Sequence, residues 1–197
     1  MAKVPYKEYR TSEPLEWDTM LQLIRRLFRD GHYRMSLLIG AGSFFGLRIS
    51  DLLTLTWSQL LDDDKFAIYE LKTGKRRTVK INRGFQRHIQ ECHDALHIEN
   101  DDEKCFLSRK KVVYSTQRIN ILLKQIKKDY NLRIEHFSTH SLRKTFGRKV
   151  YQSAGNDAAM AIARLQQLYG HSSPKVSMVY LGITQRDLES TYDLLDF

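Results

Sequence analysis

The chain has 197 residues, of which 42% are hydrophobic and 28% charged, so it can bury a sizeable core and does not have a disordered composition. Its formal net charge of +9 favours an anionic partner, with nucleic acid as the first candidate against an ordinary basic protein. Two cysteines are too few for a disulfide framework. The chain starts with polar residues and no secretory signal, and its longest apolar run, 35–47, is too short to span a membrane. These features predict a soluble, cytoplasmic protein.

The first part of the chain is predicted to be helical, with a single hairpin after the helices. Residues 1–14 are expected to form a tether, because they contain two prolines and little periodicity. Apolar residues at helical spacing predict three helices, at about 12–31, 33–45 and 49–55. The third helix is expected to be capped by Ser50 or by the turn before it. Strand-like alternation and a Thr73-Gly74 turn signal predict a hairpin from 65–71 and 77–81.

The rest of the chain is predicted to contain five further helices and a final amphipathic stripe. The helices lie at about 83–95, 119–126, 139–150, 158–169 and 174–180, and the stripe consists of Leu188, Tyr192 and Leu195. Ser138 or Thr139 is expected to cap the third of these helices, and Pro174 suits the first position of the fifth. The predicted fold class is therefore α+β, mainly α, a helical domain with one small antiparallel β-sheet.

Positive charge is segregated along the chain. Three windows, 72–90, 104–128 and 136–156, are rich in Lys and Arg and contain no Asp or Glu. The acidic residues concentrate in two loops and at the C-terminus. This segregation favours a phosphate-binding face over a uniformly solvated surface, and it strengthens the prediction of a nucleic-acid partner.

Two segments place arginines where a phosphate can bind. His140 and Arg143 are three residues apart, so they share one face of the first helical turn, where backbone amides favour a phosphate. Arg48 lies between two apolar helical stretches, so it must be paired or hold a ligand, and Asp51 is available to orient it. A surface His–Arg pair and a structural Arg48–Asp51 pair are the plain alternatives.

A lysine, a histidine and a tyrosine complete the set of candidates. Lys72 lies beside the hairpin tip, from which it can reach into a groove, although a charged turn is the alternative. Gly170 leaves His171 in a tight loop, and Tyr180 follows nine residues later, although a core tyrosine is the alternative in a chain with ten of them. No metal site is predicted, because the candidate ligands lack a recognised spacing; they are His88, Cys92, His93 and Cys105.

Together and in this order, these segments resemble the tyrosine recombinases, the family that includes phage integrases and Xer proteins. GLRISDLLTLTW is similar to the family's first arginine box, and HSLRKTFG matches its H-x-x-R box. KTGKRRTVKI is similar to the β-hairpin lysine motif, with Lys80 where a proline is common. LYGHSS followed by Tyr180 matches the final box and the spacing of the nucleophile. The resemblance runs from about residue 12 to the end, so 15–197 are assigned to the catalytic domain.

The resemblance implies a site-specific recombinase or integrase that cleaves and rejoins DNA through a 3′-phosphotyrosine at Tyr180. His140 is then a general base or a phosphate hydrogen-bond donor, and Lys72 is the general acid for the departing 5′ oxygen. Arg48 and Arg143 clamp the non-bridging oxygens, and His171 donates a further hydrogen bond. No metal or other cofactor is implied. Additional contacts with the DNA backbone are expected at Lys75, Arg76, Arg77 and Lys144.

The resemblance also implies that the partner is double-stranded DNA and that the protein forms a homotetramer on it. In solution, without DNA, a monomer is compatible with the resemblance. The C-terminal segment 184–197 docks on its own domain or on a neighbouring subunit, and helical spacing does not separate these cases. Most members carry an N-terminal core-binding domain, but only about 14 residues precede the catalytic region here. Two explanations stay open: the chain is truncated, or it is a naturally short member of the family. Three functional alternatives also stay open: a type IB topoisomerase-like enzyme, a DNA-binding accessory protein, and a basic helical domain without a DNA role.

Overall fold

The computed structural model describes residues 11–182 of the chain. Its helices are α1 (Trp17–Arg29), α2 (Tyr33–Phe45), α3 (Ile49–Leu52), α4 (Trp57–Leu61), α5 (Arg83–Ala95), α6 (Thr116–Asp129), α7 (Thr139–Gln152), α8 (Ala158–Tyr169) and α9 (Pro174–Leu181). Its strands are β1 (Lys65–Tyr69) and β2 (Arg76–Lys80), and Gly155–Asp157 form a 3-10 turn. The mainly helical α+β class with one small antiparallel sheet is confirmed. Within 11–182, no helix is long and apolar enough to cross a membrane.

Helix α2 forms the centre of the core because its residues are apolar or small on every side. It is buried continuously from Ser36 to Ser43. Gly42 lets α7 approach closely, since a Cβ at this position would come within 2.8 Å of Leu142. Gly46 ends the helix in the left-handed conformation at φ 58°, where glycine carries no steric penalty. The chain therefore passes directly from the centre of the core to Arg48.

The hairpin is anchored at the C-terminal end of α2. Its strands pair antiparallel, with Lys65 opposite Lys80 at one end and Tyr69 opposite Arg76 at the other. Phe66, Ile68 and Val79 are buried on its inner face. The ring of Phe66 meets that of Phe45 edge-on, with centroids 5.2 Å apart. This contact fixes the hairpin beside the segment that carries Arg48.

A second, smaller apolar cluster joins α7, α8 and α9. Its buried residues are Leu165, Tyr169 and Leu181. Gly147 on α7 makes room for them, since a Cβ there would come within 2.6 Å of the Tyr169 hydroxyl. Gly170 ends α8 at φ 66°, and Pro174 opens α9 at its first position. The chain after α8 is thus turned back so that α9 packs beside α7.

The segment after Arg48 differs from the sequence prediction. The predicted helix 49–55 ends at Leu52, because the Thr54 hydroxyl and amide both bond to the Asp51 carbonyl and tighten the chain into a turn. Arg48 is the N-cap residue, without a side-chain cap, so Ser50 was wrong and the helix starts from the segment before it, which was the other predicted position. Helix α4 was missed, although Thr56 and Gln59 form a capping box at its start.

The other predicted elements lie close to their observed positions. The predicted bounds of 83–95 and 158–169 coincide with α5 and α8. Ser138, not Thr139, caps α7, and its hydroxyl accepts a hydrogen bond from the His140 amide. The strands are 65–69 and 76–80, each within two residues of the prediction. The stripe at Leu188, Tyr192 and Leu195 and most of the predicted tether lie outside the described residues.

Candidate active site

The structure brings all six predicted chemical residues to one cavity. This cavity has a volume of about 350 Å³ and lies where the start of α3, the start of α7 and the α8–α9 turn meet. The six predicted residues that line it are Arg48, Lys72, His140, Arg143, His171 and Tyr180. The rest of the lining comes from Leu47, Ile49, Ser50, Thr139, Tyr169 and Gly170. Segments that are up to 132 positions apart in sequence (48 to 180) therefore share one pocket.

Arg48 is held by two acceptors on different elements. Its Nη1 donates to Glu70 Oε2 at 2.8 Å, and its Nη2 donates to the carbonyl oxygen of Tyr169 at 3.0 Å. Asp51 does not take the role suggested by its spacing, because its Oδ1 accepts from the Leu71 amide at 2.9 Å. The structural pair of Arg48 with Asp51 was therefore wrong, and the partner of Arg48 is Glu70. Guanidinium N–H groups beyond these two bonds remain for a ligand in the cavity.

Arg143 is more deeply buried, with 5% of its surface exposed. Its Nη1 donates to the Gly46 carbonyl at 2.8 Å, and its Nη2 donates to the Tyr169 carbonyl at 3.3 Å. Burial lowers the pKa of this guanidinium, but arginine starts from a value so high that the group stays charged. Because Arg48 and Arg143 share the Tyr169 carbonyl, two positive groups are fixed side by side at the base of the cavity.

Tyr169 organises the site, although the sequence analysis assigned it no role. The side chain is 1% exposed, and its hydroxyl donates to the Arg143 carbonyl at 2.7 Å. Its ring lies under the Arg143 guanidinium, 4.1 Å from ring centroid to Cζ. Tyr169 ends the predicted helix 158–169, and a backbone carbonyl that receives two arginines leaves no mark in a sequence.

Tyr180 is packed in the cavity wall on α9. Its ring meets those of His171 and Tyr169 edge-on, at 5.2 Å and 5.4 Å between centroids. The phenolic oxygen is buried and accepts or donates no well-aligned hydrogen bond within 11–182. Burial raises the pKa of the Tyr180 phenol, and the charges of Arg143 and Arg48 oppose the rise. The phenol is thus neutral at rest and needs a base to become a nucleophile.

Both histidines of the cavity are poised to be neutral near pH 7. Burial lowers the pKa of His140 from its ordinary value of 6.5, and the charges of Arg143 and Lys144 lower it further. Burial and the two cavity arginines likewise lower the pKa of His171. His171 Nδ1 lies 3.0 Å from the Ser177 hydroxyl, which leaves Nε2 as its nitrogen for a ligand. A neutral imidazole can accept a proton, as a general base must.

The four predicted DNA-backbone contacts divide into two pairs. Lys75 and Arg76 are exposed on the hairpin beside Lys72. Arg77 does not fit the prediction, because its side chain is 10% exposed and donates to the Phe45 carbonyl at 2.7 Å. Lys144 does not fit it either, because it is 7% exposed, with its Nζ 5.3 Å from the centre of the Tyr180 ring. Both cations are used inside the protein, and neither presents an open surface to DNA.

The base of the cavity carries excess positive charge. Glu70 is a buried carboxylate that contacts Arg48 and lies 3.7 Å from Nη1 of Arg77, and its charge also acts on Arg143. Burial alone would raise the pKa of Glu70, but hydrogen bonds from Arg48 and Thr73 and the charges of Arg48 and Arg77 together outweigh it and lower the pKa. Among the described residues, the lining of the cavity contains three cations, Arg48, Lys72 and Arg143, and no carboxylate, so the pocket is net positive, which suits a phosphate anion.

The alternative metal site gains no support. Burial raises the pKa of the Cys92 thiol to about 12, so it is protonated at pH 7, and its Sγ lies 3.6 Å from His88 Nε2. Cys105 is buried as well. In the described part of the chain, no three His, Cys, Asp or Glu side chains are grouped so that they could hold a metal ion.

Comparison with known sequences gives a family and two relatives. Residues 16–186 match the sequence model of the phage integrase family. The chain is 29% identical over 182 residues to the probable integrase/recombinase YoeC of Bacillus subtilis, which covers 91% of this chain and 94% of that protein. It is 26% identical over 157 residues to the tyrosine recombinase XerD of Rhizobium meliloti, covering 79% of this chain but only 49% of XerD.

Solved structures share the fold. The crystal structure of XerA recombinase superposes with a TM-score of 0.72 at 23% identity, over 92% of this chain and 64% of that one. XerH recombinase bound to palindromic difH substrate, in a post-cleavage complex, gives 0.68 at 21% identity, over 93% and 53%. A λ integrase dimer bound to a COC′ core site gives 0.63 at 17% identity, over 87% and 49%. This chain thus corresponds to about half to two-thirds of those chains.

Proposed function

This chain belongs to the phage integrase family, and we propose that it is a site-specific DNA recombinase that cleaves and rejoins strands with Tyr180 as nucleophile. The observation that carries the proposal is the convergence of six side chains of the required chemical types on one positively charged cavity. The reaction exchanges one phosphodiester for another. It therefore needs no nucleotide triphosphate, and the arginines and the lysine supply the positive charge at the phosphate.

The base of the cavity binds the phosphate. Arg48 and Arg143 present their remaining N–H groups to the non-bridging oxygens, and the planar fork of guanidinium suits two parallel hydrogen bonds. Their charges are fixed before the substrate arrives, so they stabilise the extra negative charge of the pentavalent transition state without reorganising. Neutral His171 donates a further hydrogen bond to the same group.

Two proton transfers complete the cleavage step. His140 accepts the phenolic proton as Tyr180 attacks phosphorus, and a bond forms between the phenolic oxygen and the phosphate. The bond to the 5′ oxygen breaks, and Lys72 donates a proton to that oxygen. The products are a 3′-phosphotyrosine and a free 5′-hydroxyl. Attack by the 5′-hydroxyl of a second strand reverses the steps and releases Tyr180.

A covalent capture experiment tests this proposal. The protein is mixed with a pool of nicked duplexes whose central sequence is randomised, so that cleavage releases a short strand and leaves the protein joined to DNA. We expect a DNA adduct that survives denaturing gel electrophoresis, and sequencing the captured DNA gives the preferred site. Tyr180→Phe should form none, while the control Tyr151→Phe, on α7 outside the cavity, should react like the parent. An adduct with Tyr180→Phe would reject the assignment.

We further propose that the enzyme acts on double-stranded DNA in the cytoplasm as a homotetramer assembled from monomers. The family membership and the DNA-bound relatives support DNA as the partner. A type IB topoisomerase would relax supercoils without exchanging partners, so relaxation and strand-exchange assays on the captured site separate the two activities. Light scattering of the protein with and without that duplex tests the tetramer, and a monomer on DNA would reject it.

A further inference from the structure

Glu70 lies at the junction between the hairpin and the phosphate site. It follows β1 and precedes Lys72 by two residues. The residue is 6% exposed, and its Oε2 accepts from Arg48 Nη1 at 2.8 Å and from the Thr73 hydroxyl at 2.9 Å. Its own backbone closes the turn, since its amide donates to the Lys75 carbonyl and its carbonyl accepts from the Gly74 amide. One residue therefore links the conformation of the hairpin tip to the first arginine.

We propose that Glu70 is a positioning residue of the active site, which fastens the lysine-bearing hairpin to Arg48 and fixes that guanidinium for the phosphate. This inference rests on the proposed function, because it concerns how the same cavity is arranged. Glu70 touches Arg48 and Arg77 but does not line the cavity, so it acts through those arginines.

The first argument is geometric. A guanidinium fixed at two nitrogens by separate acceptors loses its freedom to rotate, and Arg48 is fixed in this way by Glu70 and by the Tyr169 carbonyl. Glu70 orients the side chain from the hairpin, while Tyr169 orients it from α8. Removing one acceptor leaves a guanidinium that can swing about the other, and a misplacement of about 1 Å can cost ~10²-fold in rate.

The second argument concerns Lys72. Lys72 must reach the departing oxygen of the phosphate that Arg48 holds, so the two side chains need a fixed relative position. Lys72 itself is exposed and cannot be fixed by packing. The stretch before it is tied down twice, at Leu71 by the Asp51 carboxylate and at Glu70 by Arg48. Glu70 is therefore the direct connection between the general acid and the phosphate clamp.

The third argument is electrostatic and gives the inference a distinctive signature. The Glu70 carboxylate competes with a phosphate for Arg48 and reduces the positive charge of the pocket. Replacing it by an amide should therefore strengthen the binding of DNA, because the pocket becomes more positive. The same change should slow cleavage, because a neutral amide oxygen holds the Arg48 guanidinium more weakly than a carboxylate does. A residue with a merely structural role would weaken binding and cleavage together.

The experiment compares Glu70→Gln with Asp64→Asn. Asp64 precedes β1 on the same hairpin and pairs with Lys80 at the surface, so its amide variant changes the net charge equally without touching the arginines. Binding to the nicked duplex selected by capture is measured with Tyr180→Phe added, and the rate of adduct formation is measured without it. We expect Glu70→Gln to bind more tightly than Asp64→Asn and to cleave ~10- to 100-fold more slowly than the parent.

Two further variants keep the inference testable if Glu70→Gln does not fold, which a thermal melt reveals. Glu70→Asp keeps the charge but shortens the reach, and Thr73→Val removes the hydroxyl that fixes Oε2. Both should slow cleavage by less than the amide and leave DNA binding at the parental level. Parental cleavage rates in every folded variant, or a parallel loss of binding and rate, would overturn the role of Glu70 while the parent still forms adduct. A parent that forms no adduct would overturn the proposed function and this inference together.

Discussion

The base and the rim of the cavity are built in opposite ways. At the base, Arg143 is almost fully buried, and its guanidinium bonds to backbone oxygens at the end of α2 and of α8. At the rim, Lys72 is exposed to solvent, and His140 is only partly covered by the protein, enough for desolvation to lower its pKa. The groups proposed to bind the phosphate are thus set by folding, whereas we expect those proposed to move protons to take their final positions when DNA covers them. The comparison predicts that at neutral pH mutations at the base affect stability and chemistry, and mutations at the rim affect chemistry alone.

The largest effect is expected at the rim. Lys72→Ala should slow cleavage by ~10²- to 10⁴-fold, the range for loss of a general acid, without changing the thermal unfolding midpoint. A substrate with sulfur in place of the bridging 5′ oxygen should recover most of the rate, because a thiolate leaves without being protonated. Lys75→Ala, an exposed neighbour, is the control and should change only DNA affinity. A sulfur substrate that gives no recovery would remove Lys72 from the role of acid.

The next effect is expected at the base. Arg143→Lys should slow cleavage by ~10²- to 10³-fold, since an ammonium lacks the fork that stabilises the phosphate. It should also lower the free energy of unfolding, because lysine cannot donate to both Gly46 and Tyr169. Arg133→Lys, at an exposed arginine, is the matched control for the substitution. Slow cleavage with unchanged stability would contradict the idea that folding fixes the base.

A smaller effect separates the two roles of Tyr169. Tyr169→Phe keeps the ring under Arg143 but loses the hydroxyl that bonds to the Arg143 carbonyl, so the free energy of unfolding should fall by about 1 kcal/mol. Tyr169→Leu also loses the ring and should slow cleavage more than the phenylalanine does. Denaturant unfolding and adduct formation measure the two quantities. Equal cleavage rates for both variants would show that the ring does not support Arg143.

The sequence predicts the residues of the site better than the contacts that hold them. The six residues of the cavity follow from local motifs. The predicted bounds of α5 and α8 coincide with the observed ones, at residues where Asn82 caps α5 and Gly170 ends α8. Glu70 was missed because a glutamate near a turn usually indicates a solvated charge. The Tyr169 carbonyl was missed because backbone atoms carry no sequence signature.

The predicted DNA-backbone contacts at Arg77 and Lys144 do not fit the structure, for two different reasons. Arg77 lies opposite the buried Ile68 in the hairpin, so strand alternation places it on the inner face. The prediction that it contacts DNA used only its charge and not its position in the strand. Lys144 belongs to a run of buried residues, 141–145, in α7. This helix is enclosed on several sides by elements distant in sequence, and helical periodicity does not reveal which elements cover it.

The smallest effect concerns the stability of the protein at acidic pH and how bound DNA changes it. The pKa of His140 and of His171 lies below 6.5 in the folded protein, whereas the unfolded chain keeps the ordinary value. The unfolded chain therefore binds more protons between these values, and stability present at neutral pH is lost as the pH falls from 6.5 through the folded pKa. A bound phosphodiester opposes this loss, because its negative charge favours the protonated rings.

We expect DNA to raise the melting temperature of Tyr180→Phe more at about pH 5.5 than at about pH 7.5, and His140→Gln to reduce that difference. Burial also lowers the pKa of His88, which lies outside the cavity. Its contribution to the loss of stability at acidic pH should therefore be the same with and without DNA. A DNA effect on stability that does not depend on pH would mean that neither cavity histidine faces the phosphate.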